Sequence, residues 1–119
     1  MLNRKVQRQL RAERSRLRWR QQQHQSTRQR LTVFKSAQHI YAQIIDQHGH
    51  VLTQASTLEA TLRHTPMKPM VAAAAVGNLV AQRALTQGIK SIYFDCAGFK
   101  YHGRIKMLAE TAKVAGLDF

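Results

Sequence analysis

The sequence predicts an α/β fold, in which a mixed sheet of about four strands packs with helices behind a basic N-terminal arm. Three observations lead to this prediction. Three short runs rich in β-branched and aromatic residues come first, a long helical pattern separates them from a fourth such run, and positive charge is concentrated near the N-terminus. We therefore expect two parts, a basic arm at residues 1–29 and a globular α/β domain at residues 30–119.

The first three strands are predicted to form an antiparallel meander. The runs "RLTVFKS" and "HIYAQIID" are separated by a short polar stretch, which is typical of a hairpin. The segment "QHGH" then forms a glycine-bearing turn into "VLTQAST". Because side chains alternate between the faces of a strand, Ile40, Ala42 and Ile44 should share one face of the second strand.

Two helices and a fourth strand follow. A helix over about 69–87 begins near Pro69 and ends at Gly88, and its apolar residues recur with the helical period at Val71, Ala75, Val76, Leu79, Val80 and Ala84. The strand "SIYFD" comes next, and a last helix, about 103–115, should bury Ile105, Leu108, Ala109 and Ala112. A strand–helix–strand unit of this length predicts that the third and fourth strands are parallel, with a right-handed crossover.

The net charge of +13 is distributed unevenly along the chain. Residues 1–30 hold ten basic residues against one acidic residue, whereas the rest of the chain holds nine against five. Such an arm favours a polyanionic partner, of which nucleic acid is the commonest. A solubilising tail and a mitochondrial presequence are alternatives for the same segment. No apolar run is long enough for a membrane span or a signal-peptide core.

Residues 3–20 favour a helix by composition, but their apolar stripe is thin. It consists of Val6, Leu10 and Leu17, with Trp19 nearby. This is too little to hold a helix against a core, so we expect the helix to be only partly formed until phosphates neutralise its arginines. The single cysteine, Cys96, excludes an internal disulfide and favours a reducing compartment.

Signs of catalysis are weak in this sequence. Asp46 and Asp95 end predicted strands, where a metal-dependent nuclease would hold its carboxylates, but no further acid is clearly placed to join them. Asp95 is better explained as a residue that accepts from turn amides. His48 and His50 lack further ligands at zinc spacing, and Cys96 lacks a nearby base in sequence. We therefore predict no catalytic residue, no metal site and no cofactor.

Two clusters of hydrogen-bond donors predict binding instead. The first surrounds the hairpin turn and comprises Arg30, Lys35, Ser36, Gln38 and His39. The second lies at the start of the last helix and comprises Lys100, Tyr101, His102, Gly103 and Arg104. Cations are unfavourable at a helix N-terminus, where they cost about 0.3–1 kcal/mol each, so their presence there indicates an anion site. The rings that could stack on RNA bases are Tyr41, Phe99, Tyr101 and His102, whereas Phe34, Tyr93 and Phe94 are assigned to the core.

These motifs resemble a known family. The segments "RLTVFKSAQHIYAQIID", "VAQRALTQGIKSIYFD" and above all "GFKYHGRIKMLAETAKVAGLDF" are similar to the bacterial-type large-subunit ribosomal protein eighteen, a 5S ribosomal RNA binder. The resemblance covers about residues 30–119 motif by motif, and the arm in basic character only. It departs at Cys96, where many relatives have Arg, at Ala97, where they have Gly or Ser, and at Gln29, where the usual residue is Pro.

The resemblance implies a ribonuclease-H-like fold without nuclease chemistry, and no enzymatic activity. It implies a structural role in the central protuberance, attaching 5S rRNA to the large-subunit rRNA beside ribosomal protein five, with no membrane and no small-molecule substrate. Both donor clusters would face RNA. The arm would contribute Arg4, Lys5, Arg8, Arg11, Arg14, Arg16, Arg18, Arg20 and Arg28. The compartment stays open between the bacterial cytoplasm and an organelle of bacterial descent. A general nucleic-acid-binding module outside the ribosome is the main alternative, and a nuclease is the lesser one.

Overall fold

The computed structural model describes residues 3–22, 28–59, 62 and 66–119 of the chain. The described residues form three helices and four strands, in the order expected from the sequence. The elements are α1 (Arg4–Gln22), β1 (Gln29–Lys35), β2 (Ile40–Ile45), β3 (Val51–Ser56), α2 (Pro69–Thr86), β4 (Ile92–Asp95) and α3 (Gly103–Ala115).

The strands form one mixed sheet with the order β3-β2-β1-β4. β1 and β2 are antiparallel, β2 and β3 are antiparallel, and β4 is parallel to β1. β3 and β4 therefore run in the same direction, as predicted, but they lie at opposite edges. The chain reaches the far edge through α2, which contacts both β2 and β3. The predicted mixed sheet, with an antiparallel meander followed by a parallel crossover strand, is confirmed.

The core lies between one face of the sheet and the helices α2 and α3. Ile40, Ala42 and Ile44 are fully buried, as their alternation predicts. The helix pair packs closely, because a side chain at Gly77 in α2 would collide with the backbone of Leu108 in α3. Burying the large aliphatic side chains of this layer stabilises the fold by roughly 1.5–3 kcal/mol for each side chain.

The two core helices differ in how well the sequence predicts their buried faces. All four residues assigned to the buried stripe of α3 are buried. In α2, Val71 is 54% exposed, and Ala73, Gly77 and Ala81 are buried in addition to Val76, Val80 and Ala84. The run of alanines makes the first half of α2 apolar on every side, so hydrophobic periodicity alone does not select the packing face there.

The last residues of the chain return to the sheet. Leu117 is buried, and the Phe119 ring stacks on Phe94 with centroids 5.6 Å apart. Arg28 holds this segment to the start of β1 by donating to the backbone oxygens of Ile92 and Asp118. None of the described helices combines the length and the apolar character that crossing a membrane requires.

Candidate nucleic-acid interface

The basic helix α1 packs against the turn that follows β4. Arg8 Nη1 donates to the carbonyl oxygen of Ala97 at 2.9 Å, and Arg11 Nε donates to the carbonyl oxygen of Gly98 at 3.1 Å. Ala12, which lies four residues after Arg8 on the same side of the helix, is only 2% exposed. Arginine and alanine side chains therefore form the contact face of this helix.

This contact differs from the expectation for the arm. Leu10 and Leu17, which belong to the thin apolar stripe, are 39% and 54% exposed and do not form the contact. The arginines of α1 therefore supply contacts that the sequence did not reveal. The expectation that the helix is only partly formed until phosphates neutralise it stays a prediction. The side chains of Arg18, Trp19 and Arg20 lie outside the described part of the chain.

Gly98 allows α1 to approach the turn closely. Its φ of +82° lies in the region that favours glycine, and a Cβ at this position would collide with the backbone carbonyl of Arg8. The preceding Ala97 also has a positive φ, of 52°. The backbone of this turn is therefore shaped to receive the helix.

Asp95 connects the arm, the turn and the sheet. Its carboxylate is buried, and Oδ1 accepts a hydrogen bond from the backbone N–H of Ala97 at 2.9 Å. Oδ2 lies 3.0 Å from Arg30 Nη1 and 3.6 Å from Arg16 Nε. The interpretation of Asp95 as a turn-amide acceptor is confirmed, and the same carboxylate also faces two of the arginines predicted to bind RNA.

An aromatic row crosses the open face of the sheet beside α1. Phe34 lies between Tyr41 and Phe99, with both ring centroids 5.9 Å away. The Arg8 guanidinium carbon lies 4.6 Å from the Phe99 centroid, and Lys35 Nζ lies 5.6 Å from it, both within cation–π range. The assignment of Phe34 to the core is wrong, since its side chain points to the open face and is 47% exposed.

The structure brings together part of the two donor clusters predicted from the sequence. Arg30 is the exception, because it lies near the start of β1, away from the hairpin turn, and pairs with Asp95. Arg104 Nη2 donates to the backbone oxygen of Ser36 at 2.8 Å, so the start of α3 contacts the β1–β2 turn. That turn is closed by a hydrogen bond from Ser36 N to the oxygen of His39 at 2.9 Å. The His39 ring nitrogen Nδ1 lies 3.0 Å from Thr57 Oγ1, which limits how this ring is oriented.

The start of α3 retains the features of an anion site. Its N-cap residue, His102, makes no side-chain capping bond, and the first turn contains no acidic residue. Tyr101 OH donates to Glu110 Oε1 at 2.8 Å. Desolvation by partial burial, followed by the hydrogen bond to Glu110 and its charge, raises the pKa of Tyr101 to about 12. Tyr101 is therefore a neutral hydrogen-bonding ring at neutral pH.

The predicted basic residues thus fall into two groups. Arg8, Arg11, Arg16, Arg28, Arg30 and Arg104 each contact other parts of the protein. The second group has exposed side chains and comprises Arg4, Lys5, Arg14 and Lys100. The first group orders the surface, and both groups contribute positive charge to it.

The side chains considered for catalysis, Asp46 and Cys96, interact with their local surroundings. Asp46 Oδ1 accepts from the backbone N–H groups of His48 and His50 at 2.8 Å, which lowers the pKa of Asp46. Burial, followed by the charge of Asp95, raises the pKa of the Cys96 thiol. Among the described residues, no three His, Cys, Asp or Glu side chains are grouped closely enough to hold a metal ion.

Comparison with known proteins identifies the family. A family model described as ribosomal L18 of archaea, bacteria, mitochondria and chloroplast matches residues 2–119. The chain belongs to this family. Ribosomal L18 proteins are structural proteins of the ribosome and do not form a class of enzymes. Membership makes the chain a constituent of the large subunit of a bacterial-type ribosome, where rRNA and other ribosomal proteins are its partners.

Curated relatives agree with this assignment. A protein of Microcystis aeruginosa named large ribosomal subunit protein uL18 is 58% identical over 95 residues, which covers 77% of this chain and 79% of the relative. A uL18 protein of Pseudothermotoga lettingae is 55% identical over 97 residues, covering 79% and 80%. A uL18 protein of Pseudomonas fluorescens is 48% identical over 120 residues and covers both chains completely.

Sequence reasoning missed two parts of this surface. The exposure of Phe34 could have been inferred, because Leu31 and Val33 alternate with Thr32 and Phe34 along β1 and are both buried. The carbonyl acceptors at Ala97 and Gly98 left no signal in side-chain identity. Only the glycine itself indicated a special backbone there.

Proposed function

We propose that this ribosomal L18 family protein binds 5S rRNA and attaches it to the large-subunit rRNA in the central protuberance, with ribosomal protein five as its protein neighbour. The role is structural and involves no catalysis. The residues that carry it are the exposed cations of α1, the β1–β2 turn and the loop that enters α3.

One observation supports this proposal most strongly: three segments distant in sequence meet around Phe99. Arg8 of α1 and Lys35 of the hairpin both lie over the Phe99 ring, and Arg104 of α3 contacts the hairpin turn. These contacts hold basic side chains from three segments close to one another. Such an arrangement suits a folded RNA, whose phosphates approach from several directions at once.

Each segment would contribute a different interaction. The exposed arginines of α1 suit phosphate contacts, which position an RNA without reading its sequence. The start of α3 offers free backbone N–H groups and Arg104 to a further phosphate. Tyr101 and His102, both exposed, offer rings and hydrogen-bonding groups to unpaired bases and 2′-hydroxyls.

A binding comparison tests the proposal. Filter binding at matched salt should give a clearly lower Kd for 5S rRNA than for an unrelated structured RNA of similar length. Arg104→Ala should reduce that preference, whereas Lys90→Ala, which removes one exposed charge outside the three segments, should not. Equal affinity of the wild-type chain for the two RNAs would contradict 5S rRNA recognition and would favour a general nucleic-acid binder.

A further inference from the structure

We propose that the cleft between α1 and the open face of the sheet binds one unpaired nucleotide of RNA, with its base packed against the rings of Phe34 and Tyr41. This inference rests on the proposed RNA-binding function and assigns a specific subsite to it. The subsite is separate from the α3 loop and the hairpin turn, because it lies on the face of the sheet that α2 and α3 leave uncovered.

The cleft has the size that a nucleotide needs. Its volume is about 750 Å³, within the roughly 300–1,000 Å³ of typical small-molecule sites. One wall is α1 and the floor is formed by β1 and β2. The residues lining it include Arg8, Arg16, Thr32, Phe34, Tyr41 and Gln43.

The floor of the cleft is an aromatic platform. Phe34 and Tyr41 are directly paired across β1 and β2, and their rings are 5.9 Å apart at an angle of 47°. Phe34 keeps 47% of its surface exposed at the centre of a structured face. Leaving a large ring exposed there forgoes hydrophobic stabilisation, which a stacked base would recover.

The walls are complementary to ribose-phosphate. Two guanidiniums, those of Arg8 and Arg16, face the cleft from α1 and are held by Ala97 and Asp95. Glu13 also lines the cleft, so the lining carries two positive side chains and one negative side chain. A base that stacks on the floor would therefore bring its phosphate towards the cationic wall.

Polar groups on the floor could read the edge of the base. Thr32 and Gln43 are paired across β1 and β2, next to the aromatic pair. Gln43 Nε2 donates to Gln54 Oε1 at 3.3 Å, which orients its amide and leaves the carbonyl oxygen with acceptor capacity. Aromatic rings, guanidiniums and an amide together fit a nucleotide better than a purely apolar ligand.

Two ring-removing variants test the subsite. Phe34→Leu and Tyr41→Leu keep an apolar side chain and remove the ring, and each should raise the Kd for 5S rRNA about five-fold, the lower end expected for one lost stacking contact. The salt dependence of binding should not change, because stacking releases no counterions. Ultraviolet cross-linking followed by mass spectrometry should place a nucleotide on Phe34 or Tyr41 in the wild-type complex.

Controls separate stacking from packing. Val114→Ala, at a position 89% exposed on α3, should bind as the wild type does. Phe34→Tyr, which keeps a ring, should recover most of the affinity that Phe34→Leu loses. Circular dichroism and protease protection of α1 show whether each variant keeps the folded arm. If Phe34→Leu displaces α1, the result for Tyr41→Leu decides, because Tyr41 lies on the strand further from the turn that holds α1.

Failure of the subsite is distinguishable from failure of the proposed function. The ring variants are measured on both 5S rRNA and the unrelated RNA. The subsite would be overturned if both ring variants remain folded and change the Kd by less than three-fold on every RNA that the wild type binds. This holds even if the wild type prefers 5S rRNA. Equal affinity of the wild type for the two RNAs would instead overturn 5S rRNA recognition. In that case, ring variants that lose three-fold or more in affinity for both RNAs would still support the subsite.

Discussion

Replacing Asp95 by Asn should strongly destabilise the RNA-free protein. The carboxylate is buried, and it faces Arg30, whose side chain is 16% exposed, and Arg16, whose side chain is 41% exposed. The substitution removes one negative charge and keeps the size of the side chain. It also keeps an oxygen able to accept from the Ala97 N–H, so the loss reports on the charge rather than on the turn.

The expected magnitude follows from the burial of each partner. Breaking a buried ion pair by removing one charge costs about 3–5 kcal/mol, because the remaining charge is left in a poorly solvated place. Arg30 retains some contact with water, and Arg16 is exposed enough for solvent to screen most of its interaction. We therefore expect Asp95→Asn to lower the free energy of unfolding by about 3 kcal/mol.

Urea unfolding followed by circular dichroism measures this loss. With a denaturant slope of about 2 kcal/mol per molar, the midpoint should fall by roughly 1.5 M. Asp118→Asn is the matched control, because Asp118 pairs with Arg28 at 3.2 Å but the two side chains are 59% and 39% exposed. That exposed pair should contribute less than about 1 kcal/mol. If Asp95→Asn costs no more than Asp118→Asn, the reasoning about the buried carboxylate is refuted.

Three further predictions concern the turn, the arm and the α3 loop. Gly98→Ala should loosen the packing of α1, because the new methyl group collides with the helix backbone, and the arm should then be proteolysed faster. Gly49→Ala is the control: Gly49 has a similar φ but open space around it, so this variant should leave the arm protected. Deleting residues 1–20 should flatten the salt dependence of RNA binding, whose log–log slope should be about −4 to −5 for roughly six neutralised phosphates; an unchanged slope would mean that the arm points away from RNA. Titration of tyrosinate absorbance should show Tyr101 ionising near pH 12, above the ordinary value of 10.0, so its contribution to stability is present below pH 10 and is lost as the pH rises through about 12. Glu110→Gln should lower that pKa only in part, because partial burial is the larger cause; no change on substitution would contradict the hydrogen bond to Glu110.

The elements of the fold followed from local patterns. The alternation in β2 and the helical stripe in α3 predicted their buried faces, because each has polar residues on the opposite side. The same rule failed in the first half of α2, where the run of alanines provides no polar face. Strand order was not predictable in detail, since the crossover through α2 could place β4 beside several strands.

The candidate interface was predicted as a set of residues but not as an arrangement. The clusters around Ser36 and Arg104 were found because cations and donors are concentrated there, and the structure joins them by a hydrogen bond. The contacts of α1 depend on backbone carbonyl groups, which every residue possesses and which therefore leave no sequence signal. A guanidinium on α1 could equally well have pointed to RNA or to the protein, and only the three-dimensional position of Gly98 separates these outcomes.

A structure of the chain bound to 5S rRNA tests the central claim most directly. We expect the exposed cations of α1, the β1–β2 turn and the loop from Lys100 to Arg104 to lie within hydrogen-bonding distance of the ribose-phosphate backbone. A complex in which these three segments face solvent or another polypeptide, with RNA held elsewhere on the protein, would contradict the account.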